Sequence, residues 1–372
     1  MIQIFTNSIG AEELAAVQRV FASRWLGFGK EAQQFQEELG ARLGSSRVLA
    51  VNCATAAAYI AMKTLGIGRG DEVIISSVNF VGCANAIIDA GATPVFADVD
   101  PRTLNITPGE IERLRTPQTK AVLMLHYGGQ AADMDPLLAA AHGLRLIEDS
   151  ACSLFSKYHG RNCGTLGDIG FYSFDAMKIL VTGDGGAMVL KNDGLLERAK
   201  EFRYMGLANR QSGIDAMKDG GARWWEIELN GVSNRYVMND ISAAIGREQL
   251  KKVDGFLARR RQVWDAYQRG LAGIGGLVLP PEPAPGTTSS YYLYWLTVPG
   301  RRDALARHLI DRGVYCTFRY FPLHLVTEYR ANVRLPQSEQ VNLETLNIPL
   351  HQNLTDDEVG QVIDAVRGFF RG

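Results

Sequence analysis

Long apolar runs are missing from this sequence: none reaches about 18 residues, the length a membrane-spanning helix needs. The opening stretch MIQIFTNSIGAEEL lacks a basic region followed by an apolar one, so no secretory leader is expected. Cysteine is scarce. The five thiols, Cys53, Cys83, Cys152, Cys163 and Cys316, are odd in number and irregularly spaced, with no CxxC pair, which argues against a zinc knuckle or redox dithiol and for reduced thiols in the cytoplasm. An excess of charge is missing too: 39 basic residues offset 40 acidic ones, for a net charge of -1. Neither nucleic acid nor an anionic membrane is expected as a partner, and small molecules are.

What is present is apolar patterning. At 372 residues and 46% hydrophobic the chain can bury a large core, and ~100–200 residues per domain suggests two. From residue 48, short β-rich runs alternate with helical ones: VLAVN, DEVIISS, TPVFADV, AVLMLHY, RLIEDS, DIGFYSF and GAMVL read as strands. The alternation predicts an α/β fold with a mostly parallel, helix-covered sheet. ATAAAYIAMKTLG reads as a helix stopped by Gly66, and DMDPLLAAAHG as one begun on an Asp cap and ended by Gly143. After residue 238 a long helical pattern runs as one helix, or as two with a bend near Gly255, into the Pro-rich joint LPPEPAPGTTSS. YYLYWLTV, DALARHLIDRG and VYCTFRYF then read strand, helix, strand. The expected division is a large domain over 1–250 and a smaller α+β domain over 251–372.

Ligands of open α/β sheets collect beyond the carboxyl ends of the strands. Four such positions stand out. Ala54 and Thr55 follow VLAVN at a helix start, where free amides hold phosphate, although Thr55 reads equally as an ordinary cap. Glu148 and Asp149 end RLIEDS, and Asp149 suits a protonated ring nitrogen. Phe80 offers a flat platform for an aromatic ligand, against the commoner reading of a core aromatic. Lys178 follows FYSF, with Ser173 as a further phosphate donor, and precedes TGDGGAMVL, whose Gly183, Gly185 and Gly186 allow tight backbone. A phosphate cradle, a ring platform, a carboxylate and an amine in this order describe a site for pyridoxal 5'-phosphate (PLP).

Over nearly its whole length the chain resembles the DegT/StrS family of PLP-dependent sugar aminotransferases. The resemblance rests on NCATAAAYIAMKTLGIGRGDEVIISSVNFVG, HYGGQAADMDPL, IEDSACS and above all GDIGFYSFDAMKILVTGDGGAMV. It implies a fold-type I transferase, with a seven-stranded large domain, a smaller C-terminal domain and a homodimer whose active sites lie at the subunit interface. It also implies that Lys178 is the Schiff-base lysine, Asp149 the partner of the pyridine nitrogen, Phe80 the stacking aromatic, and Ala54, Thr55 and Ser173 the phosphate binders. The activity implied is ping-pong transfer of an amino group from glutamate or glutamine to a keto-sugar or related carbonyl compound.

The chain departs from the family pattern at several positions. Ala54 replaces a common Gly. Cys152 replaces a Gln near the coenzyme's phenolic oxygen and reads either as an altered contact or as a buried thiol. The phosphate contact from the neighbouring subunit falls on Asn234 with a one-residue shift, or on Arg235 in direct register. In FRYFPLHL, Arg319 stands where His is usual and His324 is kept. Arg319 suits an anionic substrate group or a structural ion pair. Tyr127 and His126, beside the YGGQ loop, are candidates for substrate contact; a lone His at a strand end is more often structural. Trp224-Trp225 and Tyr291-Tyr292 have no assigned task.

Other classes are weaker. A PLP-dependent sugar dehydratase of the same family carries His in place of the lysine, so Lys178 opposes it. A non-catalytic PLP-binding regulator would bind the coenzyme without turnover. A nucleotide-dependent oxidoreductase would need GxGxxG after the first strand, and VNCATAAAYI has none.

Overall fold

The computed structural model describes residues 1–208 and 225–371. All seven β-rich runs form strands of one sheet: β1 (Val48–Val51), β2 (Glu72–Ser76), β3 (Thr93–Ala97), β4 (Thr119–Leu125), β5 (Arg145–Asp149), β8 (Ile169–Ser173) and β9 (Gly186–Leu190). Between β5 and β8, the short β6 (Lys157–Tyr158) and β7 (Arg161–Asn162) make a side hairpin, extended by β10 (Thr287–Thr288). The order is β1-β9-β8-β5-β4-β2-β3. Strand β9 runs antiparallel to both its neighbours, and every other pair is parallel. Strands β1, β8 and β9 are buried along their whole lengths, as expected of a sheet covered on both faces.

Helices α1 (Ala11–Ser23) and α2 (Lys30–Leu43) precede the sheet, and α3 (Ala54–Leu65) and α4 (Val81–Asp89) follow β1 and β2. Helix α3 stops at Gly66, whose φ of 68° is the left-handed value that favours glycine. The DMDPLL helix spans Met134–Ala140, but Asp133 does not cap it. That carboxylate instead accepts the Tyr158 hydroxyl at 2.8 Å, because the side hairpin brings the phenol closer than the helix amides.

Residues Asp240–Leu271 form one helix. No bend occurs at Gly255, which faces open space. Asp240 accepts the amides of Gly29 at 2.8 Å and Ala32 at 3.1 Å, so it caps the start of α2. Residue 250 falls inside this helix, which packs on α1 and α2 and on the helix Asp356–Arg371. Arg260, fully buried on it, donates to the carbonyls of Tyr291 at 3.2 Å and Leu350 at 3.1 Å and to Gln352 Oε1 at 3.0 Å. It thereby pins the Tyr291-Tyr292 backbone under the sheet's ligand end.

In the C-terminal part, β11 (Tyr294–Thr297) pairs antiparallel with β12 (Thr345–Ile348), and a helix spans Arg302–Asp311. The expected strand VYCTFRYF does not form. Its backbone is claimed by different partners: Val314 bridges Ile2, Thr317 bridges Asn347, and the Arg319 amide and carbonyl bond the side chains of Asn347 and Tyr127.

The N-terminal arm is clamped to the C-terminal part by a histidine. His351 accepts the Asn353 amide at Nδ1 and donates from Nε2 to the Gln3 carbonyl at 3.1 Å, so the ring is neutral. Burial pushes its pKa down to about 4. Since the unfolded ring titrates at 6.5, the unfolded chain binds more protons below that pH, and stability falls as pH drops from 6.5 towards 4. Urea unfolding at pH 5 should show a loss of roughly 2 kcal/mol relative to pH 7 from this group. His351→Gln, which keeps a donor for Gln3, should remove that part of the acid limb.

Candidate active site

Beyond the carboxyl ends of β2, β5 and β8 lies a cavity of about 300 Å3. Ala54, Thr55, Phe80, Asp149, Ser173, Lys178 and Arg319 all line it. Hollows of about 530 and 580 Å3 open beside α2, but they gather none of these residues. Chemistry, not size, marks the smaller cavity as the site.

Strand alternation separates the two acids that end β5. Glu148 points away from the cavity, and its carboxylate is filled by the amides of Gly164, Leu166 and Gly167 and by His126 Nε2 at 2.9 Å. His126 accepts the Ala132 amide at Nδ1, so its proton sits on Nε2 and its place is structural. Asp149 faces the cavity, 2% exposed. Its partners are the Ala151 amide at 3.0 Å and the Cys83 thiol at 3.3 Å, a weak donor. Burial raises its pKa above the usual carboxylate value.

Lys178 projects into the same cavity. Its Nζ donates to the Tyr292 hydroxyl at 3.4 Å and lies 4.7 Å from the centre of that ring. Burial opposes its charge, but Tyr292, Cys152 and Asp149 outweigh burial and raise its pKa. Tyr292 is fully buried and stacked on Phe5 at 5.2 Å, and the Arg319 guanidinium lies 4.7 Å from the Phe5 centre. Phe5 and Tyr292 escaped the sequence reading. Phe5 comes from the N-terminal arm, where no periodicity or spacing links it to Lys178. Tyr320, which also lines the cavity, packs edge-on to Phe80 at 6.0 Å.

At the start of α3 the N-cap is Cys53, whose sulfur accepts the Ala56 amide at 3.4 Å. Thr55 is not the cap and presents its side chain to the cavity, beside first-turn amides suited to an anion. Of the predicted glycines, Gly183 has a left-handed φ of 87°, whereas Gly186 matters through close packing: a Cβ there would lie 2.7 Å from the Ala54 nitrogen.

Besides His126, five candidates lie outside the cavity lining. Cys152 is buried, with its sulfur 3.6 Å from the Tyr320 hydroxyl. Tyr127 bonds the Arg319 carbonyl, and His324 Nδ1 lies 2.6 Å from Ser77 Oγ; both are buried behind the wall. Asn234 and Arg235 are exposed, Asn234 donating to Tyr236 and Arg235 lying over Tyr204. Trp224 lies outside the described residues, among which no cluster suits a metal ion and no helix is long and apolar enough to cross a membrane.

The profile of the DegT/DnrJ/EryC1/StrS aminotransferase family matches residues 7–367. The chain belongs to this family. It is 44% identical to a dTDP-4-dehydro-2,3,6-trideoxy-D-glucose 4-aminotransferase of Saccharopolyspora spinosa, over 98% of this chain and 95% of the relative. It is 32% identical to the GDP-perosamine synthase of Caulobacter vibrioides, over 98% and 97%. The solved aminotransferase TlmJ from Streptoalloteichus hindustanus superposes with a TM-score of 0.93 at 46% identity, covering 99% of this chain and 98% of that one.

The family is PLP-dependent, and the residues in the cavity fit that coenzyme. Among the described residues the Asp149 carboxylate is bonded by a thiol and one amide and forms no ion pair, so a protonated pyridine nitrogen would suit it. The space between Thr55 and Phe80 depends on Gly82, where a Cβ would meet Thr55 Oγ1 at 2.9 Å and Phe80 Cε1 at 3.1 Å. Gly82→Ala should therefore weaken PLP binding about 10- to 100-fold by overpacking. The apo-protein should lose little stability, because the atoms met belong to the Thr55 and half-exposed Phe80 side chains, which can turn aside when nothing lies between them. Coenzyme titration beside thermal unfolding of the apo-protein checks both.

Proposed function

We propose that this aminotransferase moves an amino group from glutamate or glutamine to the keto carbon of a nucleotide-linked sugar. The observation that carries the reading is Lys178 and Asp149 facing one cavity at the ligand end of the sheet. The dTDP-linked keto-sugar in the name of the Saccharopolyspora spinosa relative supports the acceptor class. Retention of Lys178 favours transamination over the dehydratase branch.

In this reading Lys178 would tether PLP, Asp149 would hold its ring nitrogen protonated, Phe80 would cover the ring face, and Ser173, Thr55 and the first amides of α3 would hold the phosphate. The bound coenzyme supplies an electron sink for a carbanion. With the coenzyme bound, Lys178 Nζ would be the base placed to take the proton from the donor's α-carbon and, in the second half-reaction, the acid that delivers a proton to the acceptor carbon. The buried Tyr292 hydroxyl keeps that nitrogen on line, and Tyr320 and Phe80 exclude water beside it.

The reading also takes the large unit as 1–250, the small unit as 251–372 and the assembly as a homodimer. Asn234 and Arg235 lie on a surface with exposed Tyr204, Met205, Leu229 and Val232. That apolar character supports burial against a second subunit, whose phosphate site one of the two polar residues would complete. A spectrophotometric half-reaction tests the function: the visible band of purified holoenzyme should bleach with glutamate or glutamine and return with the keto-sugar. Stable PLP binding with no bleaching by any amino acid would leave only a binding protein.

A further inference from the structure

Arg319 is a guanidinium without a counter-charge. It lines the cavity that holds Lys178, half-buried, and no aspartate or glutamate among the described residues forms an ion pair with it. Its Nη2 donates to Met177 Sδ at 3.3 Å, a poor acceptor for a charged donor. The rest of the residue is fixed: the amide donates to Asn347 Oδ1 at 2.7 Å, the carbonyl accepts the Tyr127 hydroxyl, and the Phe5 ring lies 4.7 Å from the guanidinium. A cation so oriented yet unsatisfied is prepared for an oxyanion that is not part of the chain.

The geometry points to Arg319 as the subsite for the α-carboxylate of the amino donor. This rests on the transamination reading above. The guanidinium contacts Met177, the sequence neighbour of Lys178, and lines the same cavity as Lys178. An amino acid carries its carboxylate on the reacting carbon itself. A nucleotide-linked keto-sugar carries its phosphates several bonds from the carbonyl. The Phe5-Tyr292 stack between the two cations gives the arm a part in the site, since it holds Arg319 on one side and the Lys178 partner on the other.

Half-reactions of the holoenzyme test the assignment. Arg319→Ala should raise the half-saturating concentration of L-glutamate or L-glutamine about 10- to 150-fold, with Arg319→Lys recovering part of the loss. Wild type should prefer each donor over its α-carboxamide by a similar factor, and the Ala variant should lose that preference, which a merely structural role would not change. Glutarate, a carboxylate with no amine, should bind more weakly to the variant in calorimetry. Unchanged donor kinetics with a slower acceptor half-reaction would overturn the assignment in favour of a phosphate of the sugar nucleotide. A variant that still discriminates against the carboxamides would also overturn it. Failure of wild type to react with any amino acid would instead sink the transamination reading itself.

Discussion

Replacing Lys178 by Ala is expected to lower turnover by about 10⁴-fold or more, since in the proposed function the same nitrogen is the tether and the proton carrier, and general base catalysis alone contributes about 10²–10⁴. The variant should still fold. The ammonium removed forms no ion-pair contact with a carboxylate among the described residues and bonds the Tyr292 hydroxyl, with Asp149 acting on it only at longer range, so thermal unfolding of the apo-protein should stay near wild type. PLP should still bind through Asp149 and the phosphate contacts, but without the visible band of the lysine-bound form. A small primary amine in the buffer should restore part of the half-reaction. Full activity in this variant would remove the proposed role.

Asp149→Asn is expected to cost about 10²–10³ in turnover, the usual effect of losing one preorganised electrostatic group, while Lys178 still captures the coenzyme. The opposite sign is expected for apo stability. Burial raises the Asp149 pKa above 3.8, so the folded apo-protein keeps this proton to a higher pH than the unfolded chain. Stability therefore falls as pH rises through the window that begins at the unfolded value and ends at the raised one. The amide has no such titration. Urea unfolding of the two apo-proteins at pH 4 and pH 7 should show the variant gaining on wild type as pH rises. A variant that unfolds more easily at pH 7 yet keeps PLP would mean that the carboxylate is structural.

The residues around the cavity differ in how legible they are in the sequence. Lys178, Asp149, Thr55 and Phe80 each follow a strand, and in a parallel sheet the ends of successive strands meet at one edge. Order along the chain therefore carried spatial information. Tyr292 and Phe5 follow no sheet strand, and they reach Lys178 because Arg260 pins the Tyr291-Tyr292 backbone and the Ile2 bridge carries the arm across to Val314. Tyr127 and His324 look like site residues in sequence because they flank site segments. Their side chains are taken up by the Arg319 carbonyl and by Ser77 instead.

By itself the sequence determined the seven strands, the helix stop at Gly66 and the order of the lysine, carboxylate and helix-start positions that line the cavity, because period, propensity and strand-end placement are local properties of the chain. Only the tertiary structure decided that Glu148 faces away while Asp149 faces in, that VYCTFRYF forms no ladder, and that Arg319 reaches the cavity wall with no carboxylate partner among the described residues. Those outcomes depend on which distant groups compete for each hydrogen bond and charge, and the competition exists only once the chain is folded.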